Sequence, residues 1–175
     1  MPAVPEGSVH VVSYDRTWPV LFEAERVLLL DVLRPWLGGP IEHVGSTAVP
    51  DMPAKPVIDI MAAVASLEAS RDALPALLKS GYLYAPYRPD VMHWFCKPSL
   101  AERTHHLHLV PFGSSLWHDR IRFRDCLRSH PAVAQEYAVL KQRLAHVHRL
   151  DREAYTEAKG PFVAQVLERY ASSEI

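Results

Sequence analysis

The order of hydrophobic patterns predicts an α+β fold: a small mixed β-sheet of about five strands with flanking helices, then a C-terminal helical bundle. Three observations carry this. Short runs of strand character recur between Ile41 and Val110. One of them, Val57 to Val64, is nearly continuous, apolar and rich in β-branched residues, as in a central strand covered on both faces. From Ser115 onward, apolar residues recur instead at spacings of three and four.

Along the chain, Val9 to Val12 is a short strand candidate. Trp18, Leu21, Phe22, Leu28, Leu29, Val32, Leu33 and Trp36 recur at helical spacing, with Thr17 as N-cap and Pro19 in the first turn. Gly38-Gly39-Pro40 reads as the stop. Ile41 to Val44 is a strand entering a Gly45-Ser46 turn. Leu67 to Ser80 is a second helix, kinked or delayed by Pro75 and ended by Gly81. Tyr82 to Tyr84, Met92 to Lys97 and Thr104 to Val110 read as three more strands. In the tail, Leu116, Phe123 and Leu127 mark one helix. Val133, Tyr137, Leu140, Leu144 and Val147 mark a second. Ala154, Ala158, Phe162, Val166 and Tyr170 mark a third, with Gly160-Pro161 a kink or break. The length of 175 residues fits one domain over 1–175, its sheet core at about 8–112 and its helical tail at about 115–172.

The net charge of -1 gives no global basic field, hence no strong nucleic-acid signal. The segment from Ala101 to His130 is locally basic, with five arginines and five histidines against three acids. It either faces an anion or carries solvated helix arginines. Cys96 and Cys126 read as two buried free thiols in a reducing compartment. No basic segment followed by an apolar run opens the chain, and no apolar run approaches membrane length. These features lead us to expect a soluble cytoplasmic protein without a membrane partner. Nothing specifies an oligomeric state.

The chemistry-bearing segment is Ile41 to Ile60. A hydroxyl-rich turn, Gly45-Ser46-Thr47, can offer N–H groups and side-chain oxygens to a phosphate. Asp59, 13 positions after Ser46, can hold a divalent cation against that phosphate. The alternative is a surface turn between two core strands. A charge within such an apolar strand lies at its exposed end or is costly, which marks Asp59 out.

This spacing resembles that of the nucleotidyltransferase (DNA polymerase β-like) superfamily, and the whole segment resembles its GrpB family more narrowly. Further blocks extend the likeness: Tyr14-Asp-Arg-Thr-Trp18-Pro19, His105-His-Leu-His108, Phe123-Arg-Asp-Cys-Leu-Arg128, Tyr137-Ala-Val-Leu-Lys141, and Tyr155 to Phe162. Together they span roughly residues 8 to 170. The resemblance implies a nucleotidyltransferase-like fold and a cleft for a nucleotide or phosphorylated metabolite. It also implies a divalent metal (Mg²⁺, Mn²⁺ or Zn²⁺) and Asp59 and His108 as catalytic candidates.

Enzymes of that superfamily carry two acids one residue apart on the strand, and a third nearby. Here Asp59 is followed by Met61, and methionine does not bind Mg²⁺. The third acid is missing too. In its place, His106 and His108 share one strand face, Leu107 and Leu109 the other. With Asp59 the two histidines form a candidate metal site, and either could instead act as a base or hydrogen-bond within a polar cleft. His43 and Asp51 are additional candidate ligands, although the family more often shows glycine at the Asp51 position. Lys55, in the family's Lys-Pro pair, is a phosphate candidate or an exposed lysine. Arg120, Arg124 and Arg128 form a stripe, of which Arg124 faces a phosphate or pairs with a carboxylate inside the domain. Lys141 is the other candidate for a nucleotide's phosphates. Similar domains are fused to dephospho-CoA kinases. Three functions therefore stay open: nucleotidyl transfer, a non-catalytic nucleotide-sensing or coenzyme A-linked accessory module, and metal-dependent hydrolysis.

Overall fold

The computed structural model describes residues 8–170. Its centre is a five-stranded mixed sheet: β1 (Leu37–Val44), β2 (Ile58–Val64), β3 (Leu83–Tyr84), β4 (His93–Pro98) and β5 (Arg103–Pro111), in the order β1-β2-β5-β4-β3. Only the central pair β2–β5 is parallel; the other neighbours are antiparallel. Val9 to Val12 does not form a strand; Val12 makes one isolated bridge to Ala54.

Strand alternation divides the sheet into two faces. One carries Ile41, Ile58, Ile60, Ala62, Val64, Phe95, Leu107 and Leu109. It buries against Leu29 and Leu33 of α1 (Trp18–Leu33). A short helical segment on the same core comprises α2 (Leu67–Ser70), a 3₁₀ turn and α3 (Leu74–Lys79), with Pro75 in the first turn of α3, so proline delays the helix rather than kinking it. The other face carries Val44, Met61, Trp94, Cys96 and Val110. It packs against Leu116, Trp117 and Ile121 of α4 (Ser115–Ser129). Ser114 caps α4 by accepting the Trp117 N–H at 3.3 Å.

The tail continues as α5 (Pro131–Val147), α6 (Arg152–Ala158) and α7 (Gly160–Tyr170), the break before Pro161 being real. A second core joins α4, α5 and α7 through Cys126, Leu127, Val133, Tyr137 and Val166, and reaches Val49 and Met52 beyond the β1 turn. Both cysteines are free and buried. Among the described residues, no helix is long and apolar enough to cross a membrane.

Gly38 and Gly39 require a correction. They do not stop the first helix, which ends at Leu33 before a 3₁₀ turn; they lie inside β1. A β-carbon on Gly39 would meet the Phe112 ring at 2.4 Å, and one on Gly38 the Ala65 backbone at 2.9 Å. Close approach of neighbouring chain, not helix termination, is what these glycines allow.

Candidate functional site

The register places the chemistry. Asp59 is opposite Val44 on β1 and His106 on β5, and Met61 is opposite His108. Opposed residues share a face, so Asp59, Met61, His106 and His108 all lie on the α4 side. Asp59 is the second residue of β2, with 28% of its side chain exposed. Met61 is fully buried under α4. The position of a second acid is therefore part of an apolar floor.

The Asp59 Oδ1 atom is 3.0 Å from His106 Nδ1 and 3.6 Å from His108 Nε2. Ligand atoms of these three residues all lie within 4.8 Å of one another. Burial alone would raise the Asp59 pKa, but the hydrogen bond to His106 and the close approach of His108 outweigh it and hold the carboxyl well below its ordinary value. Burial, then the positive charge of Arg120, pushes His108 down to about 3. At neutral pH an ionised carboxylate thus faces a neutral imidazole, the protonation state a metal requires. The ring atoms His106 Nε2 and His108 Nε2 are buried without a hydrogen-bond partner among the described residues. Two imidazoles and one carboxylate fit Zn²⁺ or Mn²⁺; Mg²⁺ favours an all-oxygen set.

Gly45 ends β1 against the same carboxylate. Its φ of 72° is left-handed, and a β-carbon there would lie 2.7 Å from Asp59 Oδ2. Glycine is required twice over, by conformation and by contact. Ser46 follows, partly buried beside the Tyr137 phenol of α5.

Thr47 and His43 turn the other way. His43 stacks on Phe22 of α1 at 4.7 Å, and its Nε2 bonds the Thr47 hydroxyl at 2.9 Å. That hydroxyl donates to the Val57 carbonyl at 3.3 Å, so Nε2–H is the donor to it. Thr47 is a buried brace for the turn rather than a phosphate contact, and His43 is not a ligand. Burial pushes the His43 pKa down to about 4. Asp51 is exposed at φ 62°, outside the three-residue cluster. Its left-handed backbone is one that glycine adopts without steric cost.

Of the two alternatives for Arg124 on the arginine stripe, the structure shows the carboxylate pairing. Arg124 donates to Glu42 Oε2 at 2.6 Å, Asp125 Oδ1 at 2.8 Å and the His43 carbonyl at 3.1 Å. It ties α4 to β1 and is engaged there, away from the Asp59 cluster. Arg120, one turn earlier, interacts with Asp59 and has no carboxylate within ion-pair distance among the described residues. Lys141 is buried, donates to the Pro53 carbonyl and lies over the Tyr137 ring at 5.1 Å. It is a strut under the loop, not an open phosphate contact. That loop brings Lys55 into the field of Asp59, its Nζ 5.1 Å from the Tyr155 centroid. Lys159, at the α6–α7 break, lies over the same ring at 4.3 Å and also senses Asp59. Recesses lined by Val147 to Asp151, and by Arg71, Leu74, Tyr84, Pro89 and His93, hold none of these groups.

The structure therefore gathers Gly45, Ser46, Asp59, His106, His108 and Lys55, and sets aside Thr47, Arg124 and Lys141. It adds Arg120 and Lys159. Arg120 was visible on the stripe; Lys159 had only the following Gly-Pro break to signal it.

An α+β sheet with a carboxylate–imidazole cluster on its helix-covered face defines the class. The GrpB protein family profile matches residues 8–169, and the chain belongs to that family. It is similar to a UPF0157 protein of Pseudomonas aeruginosa, 38% identical over 170 residues that cover 94% of this chain and 68% of that one. Glutamate-rich protein GrpB of Alkalihalophilus pseudofirmus is 34% identical, covering 95% and 98% respectively. The crystal structure of conserved protein GrpB from Enterococcus faecalis superposes with a TM-score of 0.80 at 29% identity, covering 93% of this chain and all of that one. A dephospho-CoA kinase of Mycolicibacterium paratuberculosis is 27% identical over 95% of this chain, which spans 47% of that protein.

Proposed function

We propose that this chain binds a nucleotide or another phosphorylated small molecule through a divalent cation at Asp59, His106 and His108. The observation that carries it is the Asp59 carboxylate bracketed by two imidazoles, all ligand atoms within 4.8 Å of one another, with Arg120, Lys55 and Lys159 in its electrostatic field and paired with no carboxylate among the described residues. Bound there, the cation would supply charge neutralisation at a phosphate oxygen. Gly45 lets the backbone reach Asp59 closely, and Ser46 borders the same space.

The motif likeness to nucleotidyltransferases supports a nucleotide as ligand and admits nucleotidyl transfer. The buried Met61 weighs against it, because a second cation has no carboxylate on β2. Binding without transfer is the reading we favour. The similarity to a dephospho-CoA kinase favours, as the second reading, an accessory module for a coenzyme A-linked ligand. In both, His108 serves as a ligand and Asp59 as the anchor.

Thermal melts with each of the four nucleoside triphosphates, and with dephospho-CoA, in Mg²⁺, Mn²⁺ or Zn²⁺ test the reading. A ligand at a hundred times its Kd adds about 2.7 kcal/mol to native stability. A metal-dependent rise in Tm, lost in Asp59→Asn, is the expected result. No rise with any pair would refute it.

A further inference from the structure

Two lysines from distant parts of the chain share one aromatic ring. The Lys55 and Lys159 Nζ atoms lie 5.1 and 4.3 Å from the centroid of Tyr155, itself 1% exposed. Neither has an ion-pair partner among the described residues. The acid that bears on both is Asp59, which Arg120 and two histidines already share. Holding two ammonium groups together, half out of water, costs stability unless something of opposite charge joins them.

From this geometry we infer that Lys55 and Lys159 form a second anion subsite beside the Asp59 centre. Its ligand is a chain of linked phosphates: the phosphate nearest Asp59 on the cation, the distal ones on the two lysines. The inference rests on the proposed phosphate reading and narrows it. Three features support it.

The first is charge. A divalent cation with Arg120, Lys55 and Lys159 would exceed the one carboxylate by about four positive charges, close to the charge of an ionised triphosphate chain and well beyond that of a monophosphate. The second is placement. Lys55 is fixed by the loop that Lys141 and the Val12–Ala54 bridge hold down, whereas Lys159 precedes the 11-residue helix α7, whose N-terminal end adds positive potential. The third is the state of the lysines. Burial first, and then the charge of Lys55, pushes Lys159 down to about 8, as in a cation awaiting its counter-ion.

The test uses calorimetric titration of the full chain with tripolyphosphate and with orthophosphate, each with and without Mn²⁺. Wild type is expected to prefer tripolyphosphate by at least a hundredfold. Lys159→Gln should lose at least tenfold in tripolyphosphate affinity, with orthophosphate and Mn²⁺ affinities unchanged; Lys159→Arg, which keeps the charge, should retain most of it. Equal affinity of wild type and Lys159→Gln for tripolyphosphate would overturn the inference, as would no preference in wild type. Because the arm without metal reads the lysines alone, a silent Mn²⁺ titration would remove the cation site and leave the lysine result separately legible. Should Lys159→Gln melt early, the comparison of Lys159→Arg with Lys55→Gln decides the point in the same way.

Discussion

Replacing Lys141 by methionine should make the protein more stable at neutral pH and reverse that order in mild alkali. Lys141 is 1% exposed, and its ammonium donates to the Pro53 carbonyl and faces the Tyr137 ring. Burial, with a smaller contribution from Lys159, pushes its pKa from 10.5 down to about 7. The folded pKa is depressed, so the unfolded chain binds the extra proton between pH 10.5 and 7. Stability is therefore present above that window and lost as pH falls through it. At 1.36 kcal/mol per unit the full cost approaches about 4–5 kcal/mol, with about 3 kcal/mol of change between pH 7 and 9.5. Lys141→Met abolishes this dependence and leaves the Pro53 carbonyl without its donor, a loss of about 1–3 kcal/mol. The variant should then exceed wild type by roughly 1–3 kcal/mol at pH 7, with the curves crossing near pH 9. Urea unfolding of both proteins from pH 7 to 9.5 measures this. A constant offset across that range would refute the argument, because it would mean that Lys141 stays protonated in the fold.

Gly45→Ala forces a left-handed alanine and a β-carbon 2.7 Å from Asp59 Oδ2. It should cost about 1–3 kcal/mol in urea unfolding and weaken Mn²⁺ binding at least tenfold. Burial pushes His43 to about 4, so stability present above pH 6.5 should fall as pH drops toward 4. His43→Gln should flatten that slope by up to about 1.4 kcal/mol per pH unit in pH-dependent unfolding. Met61→Asp buries a carboxylate between Glu42 and His108. It should cost several kcal/mol without metal and recover part of this in Mg²⁺, whose oxygen preference the second acid satisfies. Melts showing the same Mg²⁺ response as wild type would show that Met61 does not stand where a second acid could act.

The sheet was legible because its alternation has a period of two. Alternation alone puts Asp59, Met61, His106 and His108 on one face and Leu107 and Leu109 on the other, and the observed register agrees. The turn after Gly45 was not legible to the same depth. Its 3₁₀ geometry sends Thr47 toward His43 and Phe22, on the α1 side, and no local pattern in Gly-Ser-Thr specifies that direction. The arginine stripe was correct as a stripe, but the position of α4 along the sheet decides which arginine meets Asp59. A displacement of one turn, about 5.4 Å, exchanges Arg120 for Arg124. Lys141 and Lys159 depend on how α5, α6 and α7 dock, which is long-range packing invisible to spacing rules. Gly38 and Gly39 were misread for a related reason: a glycine pair looks the same whether it ends a helix or admits a neighbouring ring.

The cation site itself is tested most directly by Mn²⁺ binding, followed by electron paramagnetic resonance on the full chain at pH 7.5, for wild type, Asp59→Asn and His108→Ala. The geometry of Asp59, His106 and His108 predicts one bound Mn²⁺ per wild-type chain and none at the same concentration in either variant. A wild type that binds no Mn²⁺, or variants that bind it equally well, would contradict the account.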